Sequence, residues 1–256
     1  LNKILINKPR LKKILKFIYI VLFRLFSFYG RKNRLILPNR KLSFIPNLSG
    51  ETFFGYYDKS PLEPNGINLL FHESIHDTSK NIKLNSSIKI GVFNLISKQI
   101  KYIGLTKAFN WQQGSRLQWL DSNFLIYNDY NGTDYISRVF DVARNIEVKT
   151  FNRPVQDAFK REFFLSINYY TLTRYKPDYG YFSHSVSDFF CHNNYRNEGI
   201  WYVDFHSGED KLILSIDRLL NINYDRSFDN SHHYINHVMI SPKGDKFIFL
   251  HRYIKN

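Results

Sequence analysis

A histidine-rich stretch near the end of the sequence carries the residue types best suited to chemistry. Residues 231–253 read SHHYINHVMISPKGDKFIFLHRY and hold four of the nine histidines, with His232, His233 and His237 within six residues of one another. Neutral imidazole binds transition metals and transfers protons near neutral pH. Two interpretations follow: a metal or acid–base site, or the entry to a β-strand whose histidines make ordinary hydrogen bonds.

Two other apolar stretches are preceded by polar and aromatic residues in the same way. The three entry segments contain Tyr56, Tyr57 and Asp58; Trp111, Gln112 and Gln113; and His233, Asn236 and His237. If these strands surround one axis, the entry side chains converge. Aromatic rings pack against the apolar face of a sugar, and amides or carboxylates fix its hydroxyl groups. The predicted substrate-binding residues are Tyr56, Asp58, Trp111, Gln112, Asn236 and Arg252.

Internal repeats predict the elements that position these residues. SPLEPNGINLLFHE (60–73) matches SPKGDKFIFLHR (241–252): Ser-Pro, a glycine turn, an apolar strand and a histidine. Three further segments read as strand, Asn or Asp, polar turn and strand. Their marker residues Asn94, Asp141 and Asp204 are separated by 47 and 63 positions. The first spacing fits one four-stranded propeller blade, and the second fits a blade with an insertion.

The predicted fold class is therefore an all-β propeller of four-stranded blades, preceded by a basic N-terminal helix. Residues 50–256 supply three blades and the start of another, with residues 169–198 as an inserted surface loop. Propellers close with four to eight blades. We therefore expect the sequence to be an incomplete copy of a longer propeller.

Positive charge is concentrated at the N-terminus. The net charge is +14, but 12 of the 36 basic residues lie in residues 1–41, which contain no acidic residue, so 24 basic residues face 22 acidic ones in the remainder. A nucleic-acid-binding domain would carry its basic patch on the folded module, so no nucleic-acid partner is expected. The apolar run 17–23 is too short to span a bilayer. An amphipathic helix on an anionic membrane surface is favoured, with a signal segment and a packed helix as alternatives.

Several segments together resemble a known group of propellers. MISPKGDKFIFLHR resembles the SPDG-type repeat of TolB-like β-propellers, with Lys243 where Asp is usual. With GYYDKSP, NWQQGSRLQWL, YNDY and GIWYVDFHSGE, it is similar to a mostly uncharacterised bacterial propeller family that accompanies genes for surface polysaccharide synthesis. More distantly, residues 53–253 resemble oligogalacturonate lyases, which are metal-dependent enzymes on a seven-bladed propeller.

The lyase resemblance implies a divalent, Mn-like metal held by histidine and glutamine. The matching residues are His237 with His233 and Gln113, or Gln112 in place of Gln113. A lyase also needs a base and a cation that binds the substrate carboxylate. Tyr57 or His233 is the expected base, and Arg138 is the expected cation, with Arg116 and Arg252 as alternatives.

Two functions remain open from the sequence. One is a polysaccharide-associated propeller that binds a glycan at its channel mouth, with metal-dependent lyase activity. The other is a non-enzymatic, membrane-attached scaffold or binding module in surface polysaccharide biosynthesis, at the cytoplasmic face of the inner membrane. A periplasmic, exported TolB-like propeller that binds a partner is a third reading. No GxGxxG, GxxxxGK[ST] or GxSxG motif occurs, so nucleotide binding and the common serine-hydrolase chemistry have no support.

Overall fold

The computed structural model consists of two compact units, residues 1–44 and 45–256. The structure describes residues 14–15, 17–23, 48–183, 195–222 and 224–255. In the first unit, residues 17–23 are helical, and the rest of the predicted amphipathic segment 1–41 lies almost wholly outside the described residues. No helix within the described ranges is long and apolar enough to cross a membrane.

The second unit is mostly β-structure and is built from antiparallel sheets that follow one another along the chain. The first sheet contains β1 (Glu51–Phe53), β2 (Asn68–Ser74), β3 (Ile88–Asn94) and β4 (Ile100–Thr106). The second contains β5 (Gln118–Trp119), β6 (Phe124–Tyr130), β7 (Tyr135–Asp141) and β8 (Ile146–Phe151). The third contains β9 (Asp157–Phe159), β10 (Phe163–Ser166), β11 (Gly199–Asp204) and β12 (Asp210–Ser215). The fourth pairs β13 (Ser231–Ile240) with β14 (Phe247–Lys255). Each of the first three is a simple meander, as the strand spacing predicts.

The three marker residues end a strand and close the turn that follows it. Oδ1 of Asn94 accepts hydrogen bonds from the N–H groups of Ile96 and Ser97 at 3.0 and 2.8 Å. Oδ1 of Asp204 accepts from the second and third N–H groups after it at 2.9 and 2.8 Å. Asp141 accepts from Arg144 N–H at 2.9 Å. A short polar side chain that bonds its own backbone a few residues ahead is what makes Asn and Asp turn residues.

The apolar core lies between successive sheets. The cluster between the first and second sheets includes Leu70 and Leu125. The next, between the second and third sheets, includes Val139 and Phe164. A third cluster joins the third sheet to β13. The last strands β4, β8 and β12 are much more exposed than the middle strands of their sheets. Each sheet therefore presents its faces to its neighbours and its last strand to solvent.

The predicted surface loop 169–198 begins as part of the core. Helix α1 (Tyr169–Tyr175) starts at Asn168, whose side chain accepts hydrogen bonds from two N–H groups of the first turn, and a 3-10 turn follows at Pro177–Tyr179. Tyr169 and Tyr181 are fully buried, with ring centroids 4.2 Å apart. The prediction of a surface loop is wrong for this part because aromatic side chains supply large buried areas even without strand alternation. Residues 184–194 lie outside the described residues. Helix α2 (Ile216–Ile222) follows β12.

Candidate functional site

A buried ion pair joins the loop between β1 and β2 to the segment just before β5. Arg116, just before β5, donates from both terminal nitrogens to Asp58 at 2.8 and 3.2 Å. Its Nε donates to the carbonyl oxygen of Gln156, just before β9, at 2.8 Å. The side chains of Arg116 and Asp58 are 2 and 4 % exposed. The segments that contain Asp58, Arg116 and Gln156 are therefore joined through one guanidinium group. Its planar fork suits bidentate pairing with a carboxylate.

His237, within β13 of the fourth sheet, reaches the same place. Its backbone is left-handed, with φ of 52°, at a β-bulge in β13. The imidazole stacks on Tyr56 with centroids 5.3 Å apart and meets the edge of Tyr179 at 4.9 Å. Burial lowers the pKa of His237, and the positive charges of Arg252 and Arg116 lower it further. Both effects favour the neutral form of the His237 imidazole. We name Tyr56, Asp58, Arg116, Tyr179 and His237 the axial cluster.

Polar contacts fix the backbone around the axial cluster. Lys59 forms an ion pair with the buried Asp157, whose other carboxylate oxygen accepts a hydrogen bond from Ile240 N–H at 2.7 Å. The phenol of Tyr169 donates to Oε1 of Gln156 at 2.7 Å. The contacts of Asp157 tie the loop after β1 to β9 and β13.

A cleft of about 520 Å³ lies next to the axial cluster. The 3-10 turn joins the two, because Pro177 and Asp178 line the cleft while Tyr179 belongs to the cluster. The lining combines amides with apolar and aromatic side chains: Asn81, Ile82, Asn110, Trp111, Gln112, Pro177, Asp178 and Phe182. We call it the amide cleft. Its volume lies within the range of small-molecule sites.

Asn110 is the buried polar group of the amide cleft. Its Oδ1 accepts hydrogen bonds from the N–H groups of Gln112 and Gln113 at 3.1 and 2.7 Å, which fixes the orientation of the amide. The residue is 2 % exposed, and Nδ2 has no hydrogen-bond partner among the described residues. Buried donors are normally satisfied, so within the described residues this N–H₂ group has an unmet hydrogen bond beside the cleft.

Of the predicted substrate-binding residues, five reach one of these two regions. Tyr56 and Asp58 belong to the axial cluster, and Trp111 and Gln112 line the amide cleft. Arg252, on β14, is close enough to His237 to lower its pKa. The sixth, Asn236, is buried in β13, and neither of its amide atoms has a hydrogen-bond partner within the described ranges.

His233 belongs to a separate aromatic group on the fourth sheet. Its Nδ1 lies 3.0 Å from Nε2 of His251, and its Nε2 lies 3.2 Å from the carbonyl oxygen of Phe228. The rings of Tyr195 and Tyr253 also contact it. Burial lowers the pKa of both histidines. His233 is thus engaged by another histidine and a carbonyl group.

The predicted metal residues are not gathered around one point. His237 contacts Tyr56 and Tyr179, whereas His233 contacts His251 and Phe228. Gln113 is buried, and its Oε1 is unpaired among the described residues. Within the described ranges, no group of three or more His, Cys, Asp or Glu side chains is placed to hold a metal ion. The donor set as predicted does not fit a divalent metal in this arrangement.

The predicted catalytic residues also lie in different surroundings. Tyr57 is 80 % exposed beside Tyr56. Arg138, on β7, is paired with Asp129 and Glu147. His233 lies in the aromatic group of the fourth sheet. The structure therefore does not bring a base and a free cation together from this set.

Sequence reasoning missed three residues that shape the site. Tyr179 lies in the segment predicted as a loop, and only its tyrosine-rich composition could have drawn attention to it. Asn110 directly precedes the Trp-Gln-Gln entry, so it could have been included by extending that motif one residue. Asn81 is distant in sequence from every motif, and the sequence gives no indication of its place in the cleft.

Comparisons with known proteins give distant structural neighbours. No protein-family model matches the sequence, and no curated protein matches it significantly. TolB from Acinetobacter baumannii is similar in structure with a TM-score of 0.43 and 11 % identity, over 79 % of this chain and 38 % of that chain. The AtxE2 isopeptidase in its apo form gives a TM-score of 0.39 and 7 % identity, over 79 % of this chain and 37 % of that one. The chain thus spans less than two fifths of the length of these two proteins.

Proposed function

We propose that the chain is part of a β-propeller that binds a glycan in the amide cleft, as a binding module. Successive four-stranded meanders that pack face to face, with their last strands outermost, support the propeller arrangement. The loop after β1, the segments before β5 and β9, and His237 of β13 meet at the axial cluster, and we place the amide cleft at the mouth of the expected channel.

The observation that carries the proposal is the unpaired Nδ2 of the buried Asn110 in a cleft with an aromatic wall. A sugar offers hydroxyl oxygens as acceptors and an apolar ring face for Trp111. Gln112 and Asn81, both exposed, supply further donors and acceptors at the rim. Asp178 is the charged residue among the lining groups, so we propose a neutral rather than a uronic-acid glycan.

Binding without catalysis is favoured over lyase action. The exposed Tyr57, the doubly paired Arg138 and the enclosed His233 occupy separate surroundings. Arg116, the most buried cation, already has both terminal nitrogens on Asp58. Proton abstraction beside a carboxylate requires a base and a cation at one place.

The test is calorimetric titration of the full chain with neutral and uronic-acid oligosaccharides. Asn110→Asp retains the oxygen that accepts from Gln112 and Gln113 but removes the donor, so we expect affinity for the neutral glycan to fall about tenfold or more, which corresponds to about 1.4 kcal/mol. Trp111→Ala is expected to abolish binding.

Asn131→Asp is the matched control, because Oδ1 of Asn131 accepts from two N–H groups of an exposed turn at 2.8 Å each. The Asn131→Asp protein should bind the neutral glycan with the same affinity as the unmodified chain. Absence of binding to any neutral glycan would refute the proposed function. Equal affinities for the Asn110→Asp and Asn131→Asp proteins would instead show that the glycan binds elsewhere.

A further inference from the structure

A second cavity, of about 190 Å³, opens beside the second and third sheets, away from the residues of the axial cluster and amide cleft. Its lining includes Tyr135, Arg153, Tyr170, Asn197, Glu198 and Trp201. We call it the Glu198 crevice. Sites for whole drug-sized molecules measure about 300–1,000 Å³, so a cavity of this size takes one functional group and its stem.

Glu198 is the main charged group of the crevice without a counter-ion. Its carboxylate accepts a hydrogen bond from the hydroxyl group of Thr171 at 2.5 Å. Burial raises the pKa of Glu198, and the bond from Thr171 opposes this only in part. None of the basic side chains in the described ranges forms an ion pair with it, in contrast to the buried Asp58 and Asp157. A buried carboxylate is costly unless a cation compensates it.

The basic residue of the crevice lining, Arg153, is already paired with a carboxylate. The guanidinium group of Arg153 lies 3.3 Å above the ring of Trp201, and its Nε pairs with Asp210. Asp134 adds a second carboxylate to the lining. The unbalanced charge of the crevice is therefore negative.

Aromatic side chains form part of the wall. The rings of Tyr135 and Tyr170 lie 4.7 Å apart and both line the cavity. Their faces suit an apolar stem, and a cation near an aromatic face is attracted by the ring quadrupole. The side-chain amide of Asn197 offers an acceptor oxygen at the rim.

We propose that the Glu198 crevice binds a primary ammonium group carried on a slender chain or ring. The ammonium group has three donors, which Glu198 and the neighbouring amide and carboxylate oxygens would accept, and its stem would lie against the tyrosine rings. An amino sugar and a lysine side chain both carry this group. The site does not depend on the proposed glycan binding, because it shares no lining residue with the amide cleft.

The experiment follows the indole N–H signals of the ¹⁵N-labelled full chain by NMR. The sequence has three tryptophans, and Trp201→Phe assigns the signal of Trp201. n-Butylammonium chloride and n-butanol are titrated in parallel, since they have nearly the same shape and differ in charge. We expect a saturable shift of the Trp201 signal with butylammonium and none with butanol.

Glu198→Gln keeps the acceptor for Thr171 and removes the charge, so we expect butylammonium affinity to fall at least tenfold. Glu209→Gln is the matched control, because Glu209 is an exposed carboxylate outside the crevice lining. Equal shifts with butanol and butylammonium would overturn the proposal even if the Glu198→Gln protein did not fold. Equal affinities of the two variants would overturn it as well.

Two natural sources of the ammonium group are distinguished by two further titrations. Glucosamine is compared with N-acetylglucosamine, and Nα-acetyllysine amide with its Nε-acetylated form. A shift with either amine, lost on acetylation, supports the proposal and identifies the source. No shift with any of the amines overturns it.

Discussion

Asp58 and Arg116 form a bidentate ion pair in which both side chains are almost completely buried. The pair joins the loop between β1 and β2 to the segment before β5, and the Gln156 carbonyl extends the contact to the segment before β9. Removing one partner of a buried pair leaves an uncompensated charge, whereas replacing both partners by apolar residues often does not destabilise a protein.

We therefore expect Asp58→Ala to lower the free energy of unfolding by about 3–5 kcal/mol. The double variant Asp58→Leu with Arg116→Met should show a much smaller decrease in the free energy of unfolding. Urea denaturation measures both, with Asp77→Ala as a control because Asp77 pairs with Lys80 at the surface. A loss below about 1 kcal/mol for Asp58→Ala would contradict a buried, compensating role for this pair.

The stability of the chain should fall in acid through His72. The ring is fully buried, and burial lowers the pKa of His72 to about 4. Its Nε2 accepts a hydrogen bond from Ser115 N–H at 3.3 Å, which requires a neutral ring. The unfolded chain binds the proton below pH about 6.5, so stability is present above that pH and is lost toward pH 4.

The expected loss from His72 is about 3 kcal/mol between these pH values. It is measured as the difference between the unmodified chain and His72→Gln in urea denaturation at several pH values, since other buried histidines contribute equally to both. His206→Gln, at an exposed position, should leave the pH dependence unchanged. A difference that did not vary with pH would show that His72 titrates normally in the folded chain.

The three marker turns offer a matched pair of backbone substitutions. Lys98 and Gly208 occupy the same turn position and have φ of 61° and 80°. Left-handed backbone costs a residue with a Cβ roughly 1 kcal/mol relative to glycine. Lys98→Gly should therefore stabilise the chain by up to about 1 kcal/mol, and Gly208→Ala should destabilise it by a similar amount. Thermal denaturation would disprove this account if both substitutions shifted Tm in the same direction.

The basic N-terminal residues should bind an anionic membrane surface. Residues 1–41 contain 12 basic and no acidic residues, and each basic residue near such a surface contributes about 1 kcal/mol. We expect the full chain to sediment with phosphatidylserine-containing vesicles at low salt and to be released at about 0.5 M salt, where charges are screened. Substitution of Lys12, Lys13 and Lys16 by Glu should abolish sedimentation. Equal binding to neutral vesicles would argue against an electrostatic anchor.

Much of the fold could be predicted because its signals are local. The marker residues Asn94, Asp141 and Asp204 end strands and close turns through their own side chains, so their spacing indicates the meanders. The buried helix α1 could not be predicted in this way. Its sequence has no clear helical period. The position of the helix depends on packing of Tyr169 against Tyr181, which follows the helix in sequence.

The candidate site was predictable in part. Of the expected entry residues, Tyr56 and His237 stack on each other near the Asp58–Arg116 pair, whereas Trp111 and Gln112 line the amide cleft. The histidines of residues 231–253 have different surroundings. A bulge and a left-handed backbone direct His237 toward Tyr56, whereas His233 pairs with His251. The four-residue separation of His233 and His237 does not predict this change of direction, because a bulge alters the alternation of side chains along the strand.

The sequence by itself determined the strand pairs, their turns and the concentration of positive charge before residue 42, since these depend on the order of neighbouring residues. Only the tertiary structure decided that Arg116 is occupied by Asp58, that Asn110 keeps an unpaired donor beside the amide cleft, and that Glu198 lies in a crevice with no counter-ion among the described residues. All three properties depend on burial, and those of Arg116 and Glu198 also depend on partners more than 25 positions away in sequence. Burial makes an unpaired donor or charge significant, and it is a property of the packed chain rather than of a motif.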